Sequence, residues 1–222
     1  MAEIVMVMGE SGSGKSASLR RFEPGEVCVL NVAGKRLPFR NSFGANVINN
    51  AGYRTIVDAV KKGKYKVYVV DDSQYLMAFE AFDKAKEIGY GKFTDMALNF
   101  YNMLMGIKHA TAWERNADGT FYDTKKPLDE TIVYFLHHID RDDTGLRKPK
   151  TQGRMLDEKL NIAGLFTTVL LAETDGKEHW FTTQSDGTSV AKSPMDMFGE
   201  TKIPNDLKLV DDVIRAYYDM EV

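Results

Sequence analysis

The chain has 222 residues, of which 43% are hydrophobic and 27% charged, as expected for a globular protein with one substantial core. Its net charge of −3 excludes a globally basic nucleic-acid-binding protein, but it does not exclude a local basic patch. No apolar stretch approaches the length of a membrane-spanning helix, so no membrane partner is expected. Cys28, the only cysteine, cannot form an intrachain disulfide, and it fits burial in the core of a cytoplasmic protein.

The first predicted element is an apolar strand at residues 4–8, which leads directly into a glycine-rich loop. Residues 16–22 after the loop are predicted to form a helix that Pro24 and Gly25 end. Strand, loop and helix in this order direct backbone N–H groups at a phosphate. The phosphate-binding pattern G-x-x-x-x-G-K-[ST] is fitted at every fixed position by Gly9-Glu10-Ser11-Gly12-Ser13-Gly14-Lys15-Ser16.

This loop predicts a nucleoside triphosphate site that runs from Gly9 through Ala17. Lys15 is expected to reach the β- and γ-phosphates and to act in catalysis, and Ser16 is expected to bind Mg²⁺. A chance glycine-rich turn between a strand and a helix is the alternative. The agreement of strand, motif and helix favours the phosphate site.

Four further buried strands are predicted at residues 26–32, 66–71, 131–137 and 165–171. Three helices lie between them in the chain. Their core-facing residues are predicted to be Ile56, Val57 and Val60 at 52–62; Tyr75, Leu76, Phe79 and Phe82 at 74–88; and Met96, Phe100, Met103, Leu104 and Ile107 in a helix that Thr94 caps.

Polar composition and a central Asp-Gly turn predict an exposed insertion at about residues 113–127. Two more Asp-Gly turns, at residues 175–176 and 186–187, flank a strand candidate at 179–184 and predict an antiparallel meander at one edge of the sheet. We therefore predict a single α/β domain over residues 1–222, with a mainly parallel central sheet, flanking helices and C-terminal antiparallel hairpins.

The strand at residues 66–71 ends in two adjacent aspartates, Asp71 and Asp72. Asp71 at the carboxyl end of a parallel strand can hold Mg²⁺ directly or through water, or it can merely cap the following helix; the phosphate loop upstream favours the Mg²⁺ role. Asp72 is a candidate catalytic group that orients the attacking water, and it can equally cap the next helix together with Ser73.

Two histidines, His137 and His138, end the strand at residues 131–137. Adjacent strand residues point to opposite faces, so the pair cannot chelate one metal ion from one face. We predict that His138 is a catalytic residue that touches the γ-phosphate and senses hydrolysis. The alternative is a hydrogen-bonded histidine at a strand end.

Residues 147–154 form a basic run in which four cations occur without an acid: Arg147, Lys148, Lys150 and Arg154. Such a loop can grip nucleic-acid phosphates or place a cation against the nucleotide of a neighbouring subunit, and the alternative is a solvated charged loop. Lys192 is a second candidate for a trans-acting cation, against the alternative of an ordinary surface lysine.

The order of these features resembles the core of the RecA-like recombinases, a superfamily of P-loop ATPases. That order is phosphate loop, second strand, V-V-D-D strand, F-L-H-H-I-D strand, basic glycine loop and hairpins. The resemblance covers nearly the whole chain and is greatest to short phage-encoded ATPases grouped with Sak-type single-strand annealing proteins. It is carried by the stretches M-G-E-S-G-S-G-K-S, N-V-A-G-K-R-L-P-F-R, A-K-S-P-M-D-M-F and I-P-N-D-L-K-L-V-D-D.

The resemblance implies a RecA-like fold and an ATPase that uses ATP and Mg²⁺ to promote annealing or recombination of single-stranded DNA in phage DNA metabolism. Implied partners are single-stranded DNA, further copies of the chain in a homo-oligomer and a single-strand-binding protein, all in the host cytoplasm. The residues that match the family are Gly9, Gly14, Lys15 and Ser16 in the phosphate loop, Asp71 as the Mg²⁺ aspartate, and His138 where the family has a polar γ-phosphate sensor, usually an amide.

One departure from the family concerns the residue that activates water. RecA-like enzymes usually carry a glutamate just after the second strand, whereas that strand here ends in Leu30-Asn31-Val32 without an acid. Asp72 is the substitute candidate, and slow turnover is expected. Two alternatives remain: a P-loop kinase of a small molecule with residues 147–154 as its lid, and a nucleotide-gated interaction module with little turnover.

Overall fold

The computed structural model describes residues 1–40, 43–152 and 161–221. The strands are β1 (Glu3–Gly9), β2 (Val27–Asn31), β3 (Val47–Asn49), β4 (Val67–Asp71), β5 (Thr111–Arg115), β6 (Phe121–Pro127), β7 (Ile132–Arg141), β8 (Arg147–Pro149), β9 (Thr168–Thr174), β10 (His179–Thr182) and β11 (Lys202–Pro204). The α-helices are α1 (Tyr53–Lys61), α2 (Tyr75–Asp83), α3 (Gly91–Lys108) and α4 (Leu207–Tyr217). Short 3₁₀ helices cover Ser16–Arg21, Gly44–Asn46 and Ile162–Leu165.

A nine-stranded sheet forms the centre of the described residues. Its strand order is β11-β10-β9-β1-β7-β4-β2-β3, and β8 pairs with β7 outside this path. The strands from β9 to β3 run parallel to their neighbours, whereas β8, β10 and β11 pair antiparallel. The predicted α/β class, with a mainly parallel sheet, flanking helices and a C-terminal antiparallel hairpin, is therefore confirmed.

The position of β7 between β1 and β4 assembles the candidate site. Gly9 at the end of β1 pairs in register with His138 of β7, and Val70 of β4 pairs with Phe135. Parallel strands end at the same edge of a sheet, so the phosphate loop, His138 and Asp71 meet there.

Apolar side chains pack against both faces of the sheet. One face is covered by α1 and α3, and the predicted apolar face of α3 is buried as expected at Met96, Phe100, Met103, Leu104 and Ile107. The other face is covered by α4 and the 3₁₀ helix Ser16–Arg21, through Leu19, Val210 and Ile214. Full burial of a large aliphatic or aromatic side chain contributes roughly 1.5–3 kcal/mol.

The second helix differs from its prediction in length and in its buried face. It ends at Asp83, and Phe79 and Phe82 are 45% and 78% exposed, so their predicted place in the core is wrong. Leu76 is buried as predicted, and Met77 is buried although it was not predicted to be. Burial decreases along α2 from these residues to its exposed end at Phe82 and Asp83.

Other elements also differ from the sequence prediction. The helix α3 begins at Gly91, so the predicted cap at Thr94 is wrong. The segment after the phosphate loop is a six-residue 3₁₀ helix, although it buries Leu19 and Phe22 as expected. The fifth central strand begins at Thr168 because the preceding Ile162–Leu165 forms a 3₁₀ helix. The helix α4 was not predicted, although the Asp206 carboxylate caps it by accepting from the backbone N–H groups of Lys208 and Leu209.

Hairpins form at two of the three Asp-Gly turns. β5 and β6 pair antiparallel around Gly119, whose φ of +88° suits glycine. β9 and β10 pair around the turn at residues 175–176. The strand that pairs with β10 on its other side is β11, at Lys202–Pro204. The predicted meander strand immediately after the turn at residues 186–187 is therefore wrong. Among the described helices, none has the length and apolarity needed to cross a bilayer.

Candidate nucleotide site

The predicted phosphate loop leaves the carboxyl end of β1 and turns back into the 3₁₀ helix Ser16–Arg21. Gly12 and Gly14 adopt φ values of +81° and +92°. A β carbon at Gly14 would also lie 2.9 Å from Nδ1 of His179, so both the backbone conformation and the space require glycine there.

Several polar groups of this loop have no hydrogen-bond partner among the described residues. No hydrogen bond within the described ranges uses the backbone N–H groups of Gly12, Gly14 or Lys15. The hydroxyl of Ser13 is buried and likewise has no partner among the described residues. Successive unpaired N–H groups in alternating backbone conformations make a concave donor surface that suits a phosphate.

Lys15 is held inside the loop. Its ammonium donates to the backbone carbonyl oxygens of Gly9 at 2.9 Å and Glu10 at 2.8 Å. Burial lowers the pKa of Lys15 to about 8, although Asp72 and Asp71 act in the opposite direction. A phosphate beside this ammonium would restore its preference for the charged form.

Ser16 and Asp71 come together as a pair of oxygen ligands. The Ser16 hydroxyl donates to Oδ1 of Asp71 at 2.8 Å. Burial raises the pKa of Asp71, and the hydrogen bond from Ser16 partly offsets this effect. The structure thus places both residues predicted to bind Mg²⁺ at one point beside the loop.

The hydroxyl and carboxylate fit a magnesium site that the protein only partly supplies. Within the described part of the chain, no group of three or more His, Cys, Asp and Glu side chains is arranged to hold a metal ion. Mg²⁺ prefers oxygen ligands, and it usually binds through one or two carboxylates together with substrate phosphates and water. Ser16 and Asp71 would therefore hold Mg²⁺ jointly with a bound triphosphate.

Asp72 is fixed by two donors and by its backbone. Lys35 lies 2.5 Å from Oδ2 and His138 Nε2 lies 3.4 Å from Oδ1. Burial raises the pKa of Asp72, but the hydrogen bonds from His138 and Lys35 outweigh burial and lower it overall. The φ of +60° at Asp72 is a left-handed conformation that costs energy for most residues, and such strain is concentrated at functional sites.

His138 lies between two clefts. One, of about 640 Å³, is lined by the phosphate loop together with Lys35, Asp72, His138 and His179. The other, of about 430 Å³, is lined by Gln74, Tyr75, His138, Lys150, Thr151 and Gln152. A group in either cleft can therefore contact the same imidazole.

His137 points away from the loop, as the alternation of strand side chains predicts. It is fully buried, and burial lowers its pKa to about 4, so the ring is neutral near pH 7. Its Nε2 donates to the carbonyl oxygen of Lys150 at 2.6 Å, and its Nδ1 accepts from the Ser73 hydroxyl at 2.8 Å. The carbonyl can only accept, which fixes this tautomer.

The predicted basic loop is partly a structural element. Arg147 belongs to β8, where it pairs with Glu173 and donates to the hydroxyl of Thr188. The charge of Arg147 is therefore compensated by a carboxylate of the same chain. Lys150 is exposed, and its backbone N–H donates to the carbonyl oxygen of His138 at 2.8 Å. Lys148 also lies in β8, and Arg154 lies outside the described residues.

Lys192 pairs through its backbone with Val169 near the start of β9, with both hydrogen bonds at 2.8 Å.

Two residues that sequence reasoning did not place in the site are Lys35 and His179, which line the cleft at the phosphate loop. The stretch A-G-K-R after β2 was a signal for Lys35, because small residues there let the chain turn back toward Asp72. His179 carries no comparable local signal.

No protein-family model matches the chain, and no curated protein matches it either. Fold and site together define an α/β protein with a phosphate-loop motif at the carboxyl edge of a mainly parallel sheet. Function therefore has to be argued from the geometry at that edge.

Proposed function

We propose that this protein binds ATP together with Mg²⁺ and hydrolyses it slowly. The observation that carries the proposal is the 2.8 Å contact between the Ser16 hydroxyl and Asp71, directly beside a loop with unpaired N–H groups. The contact supports the proposal because it joins two residues that lie 55 positions apart in the chain and that were each predicted to bind Mg²⁺.

Each residue of the site has a role in this proposal. The N–H groups of Gly12, Gly14 and Lys15 bind phosphate oxygens, and the Lys15 ammonium moves from the loop carbonyls onto the β- and γ-phosphates. Ser16 and Asp71 position Mg²⁺, which when bound stabilises charge on the phosphate oxygens.

His138 and Lys35 would face the terminal phosphate, each oriented by Asp72. Asp72 thus acts first as a positioning residue, and its lowered pKa makes it a weak base toward water. This weak basicity supports slow turnover.

We further propose that the chain has a RecA-like fold and is similar in function to the phage-encoded Sak-type annealing proteins. In this proposal, nucleotide binding controls contact with single-stranded DNA and thereby promotes annealing or recombination. Support comes from the backbone of Lys150, which is hydrogen-bonded to both His137 and His138. A shift of β7 on γ-phosphate binding would therefore move Lys150. A homo-oligomer and a single-strand-binding protein remain proposed partners on the family resemblance alone.

A nucleotide-gated interaction module with little turnover is the second candidate, and Asn31 favours it. This residue ends β2, and its side-chain amide donates to the Lys35 carbonyl oxygen at 2.6 Å and to Asn49 at 2.8 Å. An amide has no basicity with which to activate water.

ATP hydrolysis with and without single-stranded DNA tests the proposal, with wild type compared with Lys15→Ala and with the surface control Lys177→Ala. The leading function predicts DNA-stimulated phosphate release that is lost only in Lys15→Ala. Binding of ATP without hydrolysis in either condition would favour the gated module, and no binding of ATP would contradict both.

A further inference from the structure

Three lysines at the opposite end of the sheet each lie over an aromatic ring. The ammonium of Lys61 is 5.1 Å from the ring centre of Trp113, that of Lys62 is 5.1 Å from Phe121, and that of Lys64 is 5.1 Å from Tyr65. We call Lys61, Lys62, Lys64, Tyr65, Trp113 and Phe121 the lysine–aromatic face. It joins the end of α1 to the β5–β6 hairpin.

The three lysines of this face form no ion pair with a carboxylate of the described residues. In the ranges that the structure describes, no carboxylate lies within ion-pair distance of Lys61, Lys62 or Lys64. The acids nearest to them along α1, β5 and β6 have other partners: Asp58 pairs with Arg54, Asp123 with Lys125, and Glu114 accepts from the Tyr122 hydroxyl. The three ammonium groups therefore have no ion-pair partner among the described residues, although Asp58 lines the same cleft as Lys62 and Lys64.

An apolar cleft of about 1000 Å³ opens beside these lysine–ring pairs. Its walls include Ile48, Ala59, Tyr65, Tyr68 and Phe121, and Lys62 and Lys64 lie at its polar side. Phe121 is 44% exposed although it is large and aromatic. One exposed ring, two half-buried rings, an apolar recess and ammonium groups without an ion-pair partner thus occur together.

The face lies away from the phosphate loop. The lysines precede β4 and the hairpin precedes β7, so both lie at the amino ends of parallel strands whose carboxyl ends carry the site. The length of β4 alone separates the two ends by roughly 15 Å. A ligand on this face would not occupy the nucleotide cleft.

We propose that the lysine–aromatic face is a binding surface for single-stranded nucleic acid, separate from the segment at residues 147–154. Single strands expose both phosphates and the flat faces of bases, and proteins bind them with basic grooves and stacking aromatic rings. On binding, the ammonium groups move from the rings to phosphates, and the freed rings of Phe121, Trp113 and Tyr65 stack on bases. The proposal shares a ligand class with the proposed function but needs neither ATP nor Lys150.

Other anionic partners fit this surface less well. A duplex hides the faces of its bases, so it would use the lysines but not the rings. An anionic membrane surface would contact the lysines without selecting single strands. Each of the three lysines lies over an aromatic ring, so the surface offers both cations for phosphates and rings for bases.

Fluorescence anisotropy with a labelled oligothymidine of about 20 nucleotides, without ATP, tests this proposal. The double variant Lys62→Ala/Lys64→Ala is compared with Lys86→Ala/Lys177→Ala, which removes the same charge from exposed positions elsewhere. We expect at least tenfold weaker binding for the first variant only, and a salt slope smaller by about 1.4, since each phosphate contact on a single strand contributes about 0.7.

Phe121→Ala keeps every charge and tests stacking. It should weaken binding of the oligothymidine by about fivefold or more and leave binding of a duplex of equal length unchanged. Equal affinity and salt slope for the two double variants would overturn the proposal. It would also be overturned if Lys62→Ala/Lys64→Ala lost binding to anionic vesicles but still bound the oligothymidine like the wild type. Lys15→Ala and Lys150→Ala, measured alongside, separate this surface from the proposed function, because both should bind the oligothymidine through this face without ATP.

Discussion

The Ser16 hydroxyl donates a 2.8 Å hydrogen bond to the buried carboxylate of Asp71. This contact joins the end of the phosphate loop to the end of β4, and it forms because β7, inserted between β1 and β4, brings their carboxyl ends to one edge. It brings together the two oxygen ligands of the proposed magnesium site.

Asp71→Asn should raise the Mg²⁺ concentration needed for nucleotide binding by about tenfold or more, because it removes the one carboxylate that the site offers to the metal. The amide keeps the shape and can still accept from Ser16. Binding of ATP titrated with Mg²⁺ measures the effect, and an unchanged Mg²⁺ requirement would show that Asp71 does not serve the metal.

Nucleotide affinity should fall as the pH rises above about 8. Burial lowers the pKa of Lys15 to about 8, whereas bound phosphates favour the ammonium and raise its pKa in the complex. Affinity is therefore complete below pH 8, and it decreases above it by at most about tenfold per pH unit. Titrations of ATP across this range test the prediction.

The matched control for the pH dependence is Lys15→Arg, whose guanidinium stays charged throughout. Its affinity, whatever its absolute value, should be flat over the range in which the wild-type affinity falls. An equal decrease in both proteins would assign the pH dependence to another group.

Asp72→Asn should slow ATP hydrolysis by about 100-fold while changing nucleotide affinity by less than about threefold. Asparagine tolerates the φ of +60° at this position, so the variant removes charge without adding backbone strain. Single-turnover hydrolysis and equilibrium binding measure the two effects separately. Asp72→Ala is the contrast, because alanine at this φ should also lose about 1–2 kcal/mol of stability.

Arg215→Met should lower the free energy of unfolding by about 3–5 kcal/mol. Arg215 is 2% exposed and donates to Asp211 at 2.7 Å and to three backbone carbonyl oxygens, so its loss leaves a buried carboxylate without its counter-charge. Urea denaturation measures the change. Arg54→Ala is the control, because its ion pair with Asp58 is exposed and should contribute less than about 1 kcal/mol.

Most of the sheet and the centre of the site could be predicted from the sequence. Buried parallel strands appear as continuous apolar runs, and the phosphate-loop pattern fixes both residue types and spacing, so Gly14, Lys15 and Ser16 were identified with their structural context. Asp71 could also be placed in the site, because a carboxylate at the end of a buried strand can be recognised from the local sequence.

What the sequence did not reveal depends on contacts between distant segments. Lys35 reaches Asp72 across 37 positions, and the turn-forming residues before it do not identify its partner. His179 reaches Gly14 from β10 without any local pattern. Phe79 and Phe82 have helical spacing with Tyr75, yet they are exposed because no described element covers the later part of α2. The ion pair of Arg147 with Glu173 could not be predicted either, because the sequence around Arg147 has the composition of a basic loop.

Isothermal titration of the chain with ATP, with and without Mg²⁺, tests the central claim most directly when wild type is compared with Lys15→Ala. We predict saturable binding of one ATP per chain that requires Mg²⁺ and weakens by at least about tenfold in the variant. Equal binding by both proteins, or no binding by a folded wild-type chain, would contradict the assignment of the loop from Gly9 to Ser16 as a triphosphate site.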